Sequence, residues 1–244
     1  AEAVGVAPPP PSDGEVSWLI DGAVGAFRVL FDADAIGADH VPGHAHADTL
    51  HLVVWHEETP VFVDTASSTY SPGARRDYER GTAAHNTVVV GEADSAEMWG
   101  AFRVGRRPRI VERDVSSDDT SLVAAAVHDG YRRYGVLHRR EVDVGSRRVV
   151  VRDRLSPVPG GRRTRRDAPT ARAYWHVAPE AAPTLRRIDA RRVALAGLEI
   201  TFSDATKFDI RRTEIARGFE KRTESVTIVV DFYEKLETVI ESRD

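Results

Sequence analysis

Short apolar segments with Val, Ile, Thr or aromatic residues at every second position recur along the chain, and this period of two is what most restricts its fold. Clear instances are residues 26–32 (AFRVLFD), 49–56 (TLHLVVWH), 60–64 (PVFVD) and 86–90 (NTVVV), followed by 122–127, 139–144, 147–155, 171–177, 192–195, 198–202 and 225–232. Gly, Asp or Pro lies between most of them, and these residues supply the backbone conformations that end strands. The polar turn Glu57, Glu58 and Thr59 between two such runs is a hairpin signal. No stretch keeps a 3.6-residue period beyond about three turns, so no long helix is expected. In 244 residues, 41% of them hydrophobic, regularly spaced short strands predict an all-β fold, a large antiparallel β-sandwich over residues 15–244.

Residues 1–14 (AEAVGVAPPPPSDG) read as a Pro-rich linker, because consecutive prolines impose an extended segment without ladder hydrogen bonds. Such a linker carries the expectation that something precedes it. Residues 157–169 (PVPGGRRTRRDAP) read as an exposed loop. Cysteine is absent, which excludes disulfides and thiolate metal ligands. No apolar run approaches about 18 residues, so no membrane span is expected, and no signal peptide opens the chain.

The net charge of −4 is unevenly spread: residues 1–100 hold 4 Lys/Arg against 16 Asp/Glu, and residues 101–172 hold 18 against 9. A basic middle could attract an acidic polymer. The plainer reading is arginines projecting from strands into exposed ion pairs. The stretch carries no nucleic-acid motif, so no nucleic-acid partner is expected.

The chemistry concentrates in GHAHAD at 43–48. Alternation on an extended backbone puts His44, His46 and Asp48 on one face. Two imidazoles with a carboxylate suit Zn²⁺ or another divalent metal, although a hydrogen-bonded structural pair would look the same. Asp64 ends an apolar strand, where a carboxylate is costly without a partner. His85 and Asn86 stand immediately before another strand, as metal or substrate residues or merely as caps of a sheet edge.

GHAHAD, then VFVDTASSTYS at 61–71, then RRDYERGTAAHNTVVV at 75–90 resemble the C-terminal β-sandwich domain of the heparinase II/III-like polysaccharide lyase family. HDGYRR at 128–133, VVVRDRL at 149–155 and YWHV at 174–177 follow in the same order, so the resemblance runs from about Trp18 to Phe232. It implies an anionic polysaccharide as partner and β-elimination of a uronate-containing glycan. It also implies an upstream α/α toroid, absent from this chain, that carries the catalytic Tyr and the group neutralising the uronate. His46, Asp64 and His85 match the metal ligands, and His44 matches a histidine facing the substrate. The implied metal, Zn²⁺ foremost, is expected to act as a staple rather than in the chemistry. A periplasmic or secreted location is expected.

Other assignments come from the local residues. With a turn at Glu57–Glu58, the residue opposite Asp64 is near His51, so His51 is a substitute ligand or a support for the ligands, and Asp48 a carboxylate orienting an imidazole. Tyr70, Arg75 and Asn86 are expected to touch substrate. Arg76 and Arg80 either line the cleft or form buried ion pairs with Asp77 or a neighbour. Trp99 is expected to be buried rather than to stack on a sugar, and Trp175–His176 to be core with a satisfied imidazole. The competing reading is a non-catalytic, metal-stabilised module that binds polysaccharide; a cupin-like metalloenzyme fits the Asp64 and His85–Asn86 context less well.

Overall fold

The strand Val136–Gly145 alternates buried and half-buried residues without interruption, the pattern of a strand with one face on a core. It sits in an eight-stranded antiparallel sheet. In spatial order the strands are Arg186–Arg187, Arg192–Leu195, Leu198–Ser203, Lys235–Ser242, Arg148–Pro157, Val136–Gly145, Ser121–His128 and Ile110–Ser117. Two four-stranded antiparallel sheets share a core with it. One runs Leu19–Val24, Phe27–Asp32, Leu52–His56, Thr59–Phe62; the other runs Lys207–Gly218, Lys221–Phe232, Ala171–His176, Val88–Val90. A single apolar cluster, including Phe31, Phe62, Val142, Trp175, Phe202 and Ile228, draws on all three sheets. The expected β-sandwich is therefore the architecture. The computed structural model describes residues 18–160 and 169–243. The expected linker at 1–14 and the centre of the loop at 157–169 lie outside them.

The expected hairpin forms with its two-residue turn at Glu57–Glu58, both in the left-handed region (φ 48° and 63°). Such a turn matches strand twist but is unfavourable for residues with a Cβ. A bulge between Val54 and Trp55 then shifts the register, so that Val54 faces Phe62.

At Phe62 the chain changes neighbours. Phe62 also bridges Val177, and Val63 N–H donates to the His176 carbonyl at 2.9 Å. Val88–Val90 pairs with Ala171–Ala173 on the same edge. The segments ending at Val63 and starting at Val88 thus lie end to end along one strand. Residues 64–87 leave and re-enter at the gap between them, carrying the helix Ala74–Arg80, the only α-helix among the described residues. No helix there is long and apolar enough to cross a membrane.

Candidate functional site

A gap in a sheet edge leaves peptide groups without ladder partners, and buried ones must find others. Asn86 fills this role. Its side-chain amide donates to Leu52 O (2.8 Å) and Val63 O (3.0 Å) and accepts His176 N–H (2.6 Å). Its own N–H donates to His51 Nδ1 (2.9 Å), and its carbonyl accepts from Arg140 (2.5 Å). Asn86 is fully buried and fully bonded. The expectation that it touches substrate is corrected: it joins three strands where the ladder breaks.

Around that plug gather the histidines and aspartates. His85 Nδ1 lies 2.6 Å from Asp64 Oδ2, and His51 Nε2 lies 3.3 Å from the same oxygen. The rings of His46 and His51 are centred 5.3 and 5.7 Å from that of His85. Two compact ligand groups result, His46/Asp48/His85 and His51/Asp64/His85. They share His85, and the expected trio of His46, Asp64 and His85 is split between them. His51 is the weaker donor on chemical grounds. Its Nδ1 accepts a backbone N–H, so the neutral ring carries its proton on Nε2 and offers no lone pair there.

Burial dominates the electrostatics. It pushes Asp64 up, but the His85 charge and the neighbouring His51, with hydrogen bonds from His85 and Ala66, outweigh it and hold this carboxyl well below the usual range. Burial likewise opposes a charge on His85, yet Asp64 beside it raises His85 to about 9. Burial lowers His46 to about 3 and His51 to about 4. It raises Asp48 to about 6 and, with the charge of Asp48 added, Asp32 to about 7. The cluster is thus one ion pair surrounded by neutral imidazoles.

Four buried atoms here have no well-formed hydrogen bond in the protein: Asp48 Oδ1, His51 Nε2, His85 Nε2 and His176 Nε2. Native interiors rarely leave buried polar atoms unpaired, so such a group is where a bound ion would find its ligands. The His and Asp donors are those of a divalent transition metal, and they fit such an ion.

The helix secures the loop that carries GHAHAD. Its residues Arg76, Glu79 and Arg80 form the buried face. Arg76 donates to Gly43 O (2.8 Å), Ser67 Oγ (3.0 Å) and Ala101 O (3.3 Å). Arg80 donates to Gly100 O (2.5 Å), Pro42 O (3.0 Å) and Ala45 O (3.1 Å). Neither arginine meets a carboxylate, so the alternative of a buried ion pair with Asp77 or a neighbour does not hold. Both neutralise carbonyls of irregular backbone instead. His44 therefore stands exposed on a clamped loop, with the Tyr70 ring edge-on at 6.1 Å. Tyr70 is 45% exposed, while Arg75 is tied to Glu214.

Two residues depart from expectation. Trp99 is 55% exposed, because it lies in the small hairpin of Met98–Trp99 and Arg103–Val104 outside the sandwich. His176 is buried, with Nδ1 2.7 Å from Thr227 Oγ1. Its Nε2 faces the Ala83 backbone without a well-formed hydrogen bond, so the imidazole is only half satisfied. Alternation turns Trp175 to the core and His176 to the outer face beside His85 and Asp64. That alternation was a signal for His176 as part of the site.

A family model described as "Heparinase II/III-like, C-terminal" matches residues 12–242. Among solved structures, heparan sulfate lyase HepC from Pedobacter heparinus superposes with a TM-score of 0.66 at 14% identity, covering 88% of this chain and 33% of that one. A heparinase III gives 0.67 at 15% identity, with 88% and 33% covered. The heparinase III BT4657 gene product gives 0.63 at 14%, with 94% and 37% covered. Identities this low show a shared fold, and the chain spans about a third of these proteins' length. A search of curated protein sequences finds no significant match.

Proposed function

Because the chain belongs to the heparinase II/III-like C-terminal family, we propose that it is the β-sandwich half of a polysaccharide lyase that cleaves a uronate-containing glycan by β-elimination. An upstream α/α toroid completes the site, and the protein works in the periplasm or outside the cell, where such polymers are met. The supporting observation is His44, exposed beside Tyr70 and two residues from a half-buried His/Asp cluster, on a loop that two buried arginines hold in place.

In β-elimination the proton on C5 leaves to a base, the C5–H electrons form the C4–C5 double bond, and the C4–oxygen bond breaks as that oxygen takes a proton. His44 serves as base or as a contact positioning the sugar. Donors on the toroid neutralise the uronate carboxylate and stabilise the developing enolate. Tyr70 lies beside His44 as a wall for the sugar.

His46, Asp64 and His85 would hold a divalent metal, Zn²⁺ foremost, with His51 orienting Asp64. Asp48, with its unpartnered oxygen, is the competing carboxylate. The ion's contribution is cross-linking: it would join the GHAHAD loop to both ends of the gap, and so fix His44. Removal of His44 should lower turnover by about 10²–10⁴-fold, the usual worth of a general base, with metal content unchanged. The full-length protein should release unsaturated uronate, read by its ultraviolet absorbance. No such product across a panel of uronate polymers would overturn the lyase reading in favour of a non-catalytic polysaccharide-binding module.

A further inference from the structure

The arginines of the basic middle fall into two populations. Arg139, Arg140, Arg152 and Arg172 are in ion pairs with Glu141, Asp153, Glu237 and Glu92. The guanidinium groups of Arg106, Arg109 and Arg132 have no hydrogen-bond or ion-pair partner among the described residues, and all three line one cavity of about 760 Å³. The cavity is bounded by the 35–39 loop, the 105–110 segment and the turn at 129–133. In all, six arginines line it against two aspartates, Asp39 and Asp129.

The other three arginines are engaged. Arg107 is tied to the wall by Gly37 O (3.1 Å), Ile36 O (3.2 Å) and Asp39 (3.2 Å). Arg113 stacks over Trp18, and Arg133 donates to Asp94 O. The unpaired pair Arg109 and Arg132 rises from fixed backbone. Asp129 N–H donates to Arg109 O (3.0 Å), Asp129 Oδ1 accepts Arg109 N–H (2.8 Å), and Arg132 N–H donates to Asp129 O (2.9 Å). Side chains on a rigid wall lose less freedom when they close on a ligand.

We propose that this cavity is a second glycan-binding site, which takes the anionic substituents, sulfate or carboxylate, of a polysaccharide segment. A guanidinium presents a planar fork matched to both oxyanions. Like charges gathered in excess of the acids beside them favour a polyanion. Nucleic acid fits poorly, because single strands are held by aromatic side chains interleaved with basic ones and no aromatic residue lines the cavity. The site shares no residue with the His44 rim. Its wall residue Ile36 packs with Ala45 and Ala47 of the GHAHAD loop, so one polymer could engage both places. The choice of glycan rests on the lyase reading; the binding of anions does not.

Calorimetric titration of the full chain with a size-defined heparin tetrasaccharide, its desulfated counterpart and a single-stranded DNA of matched charge tests this. The heparin fragment should bind. Each of Arg106→Gln, Arg109→Gln and Arg132→Gln should weaken it about tenfold, the worth of one charge-assisted hydrogen bond. Arg109→Lys should restore part of the loss, and Arg192→Gln, near the opposite edge of the eight-stranded sheet, should change nothing. These arginines are exposed, so the variants should melt like the parent. Loss of affinity on desulfation assigns sulfate, and retention assigns carboxylate. No binding by the parent chain, or unchanged binding by the triple Gln variant, overturns the site; equally tight DNA binding overturns its assignment to glycan. Arginine-dependent binding without lyase activity would sink the catalytic reading and leave this one standing.

Discussion

Two histidine–aspartate clusters sit in this sandwich, one fully buried and one half-buried, and their hydrogen bonds are arranged oppositely. In the eight-stranded sheet, Gly130 N–H donates to His128 Nδ1 (3.1 Å). The His128 proton therefore sits on Nε2 and is donated to His138 Nδ1 (3.0 Å). His138 in turn donates from Nε2 to Asp153 (2.7 Å), which also takes a two-pronged pair of bonds from Arg140 (2.9 and 3.0 Å). Every nitrogen and both carboxylate oxygens are used, and burial keeps the imidazoles neutral by pushing both pKa values down. The His85–Asp64 cluster leaves four buried atoms without a well-formed hydrogen bond. A closed network needs no ligand and specifies structure; an open one is completed only by something from outside. Arg140 joins the two, crossing the core to Leu50 O and Asn86 O.

The largest expected effect breaks the closed cluster. Asp153→Ala strands the Arg140 charge in the core and should cost about 3–5 kcal/mol in urea unfolding. The same loss should appear with and without added metal. A loss below about 1 kcal/mol would mean that the network is not structural.

Next comes the open cluster. With metal at about a hundredfold over its Kd, a chelator should cost roughly 2.7 kcal/mol. His85→Ala should abolish both metal content and chelator sensitivity, because both ligand groups use it, whereas Asp153→Ala should keep the metal. Elemental analysis of Asp64→Asn and Asp48→Asn identifies the coordinating carboxylate as the one whose loss empties the site. A metal-free parent protein, or full metal in His85→Ala, would end the comparison.

The smallest effect is a pH slope. His128 and His138 have folded pKa values below the unfolded value near 6.5. Their contribution is fully present above that unfolded value and is lost as pH falls below it, since the unfolded chain then takes up protons that the fold refuses. Unfolding free energy of the metal-free chain should therefore fall on acidification below about pH 6.5, and His128→Gln should make that fall shallower. An unchanged slope would mean the imidazoles are not buried neutral.

Much of the fold was legible because burial writes itself into neighbouring residues. Alternation announced a strand at 139–144, inside the observed Val136–Gly145, and a polar stretch between apolar runs announced the turn at Glu57–Glu58. The site was legible in part. GHAHAD, Asp64 and His85 pointed to one region, but Asn86 was mistaken for a contact and His176 for plain core. Their roles depend on strands about 90 residues away: the Asn86 amide meets the His176 backbone only because the ladder breaks between Val63 and Val88. Arg76 and Arg80 share one face of a helix that the sequence did not announce, and only the fold shows that carbonyls rather than carboxylates meet them.

The sequence alone determined the period of two, hence the sandwich, and the residue types able to bind a metal. The tertiary structure alone decided which histidines are open and which closed. A neutral imidazole donates from one nitrogen and accepts at the other, and the choice is made by whichever group faces it first. For His128 that group is Gly130 N–H, two residues away, but for His51 it is Asn86 N–H, brought from across a broken sheet edge.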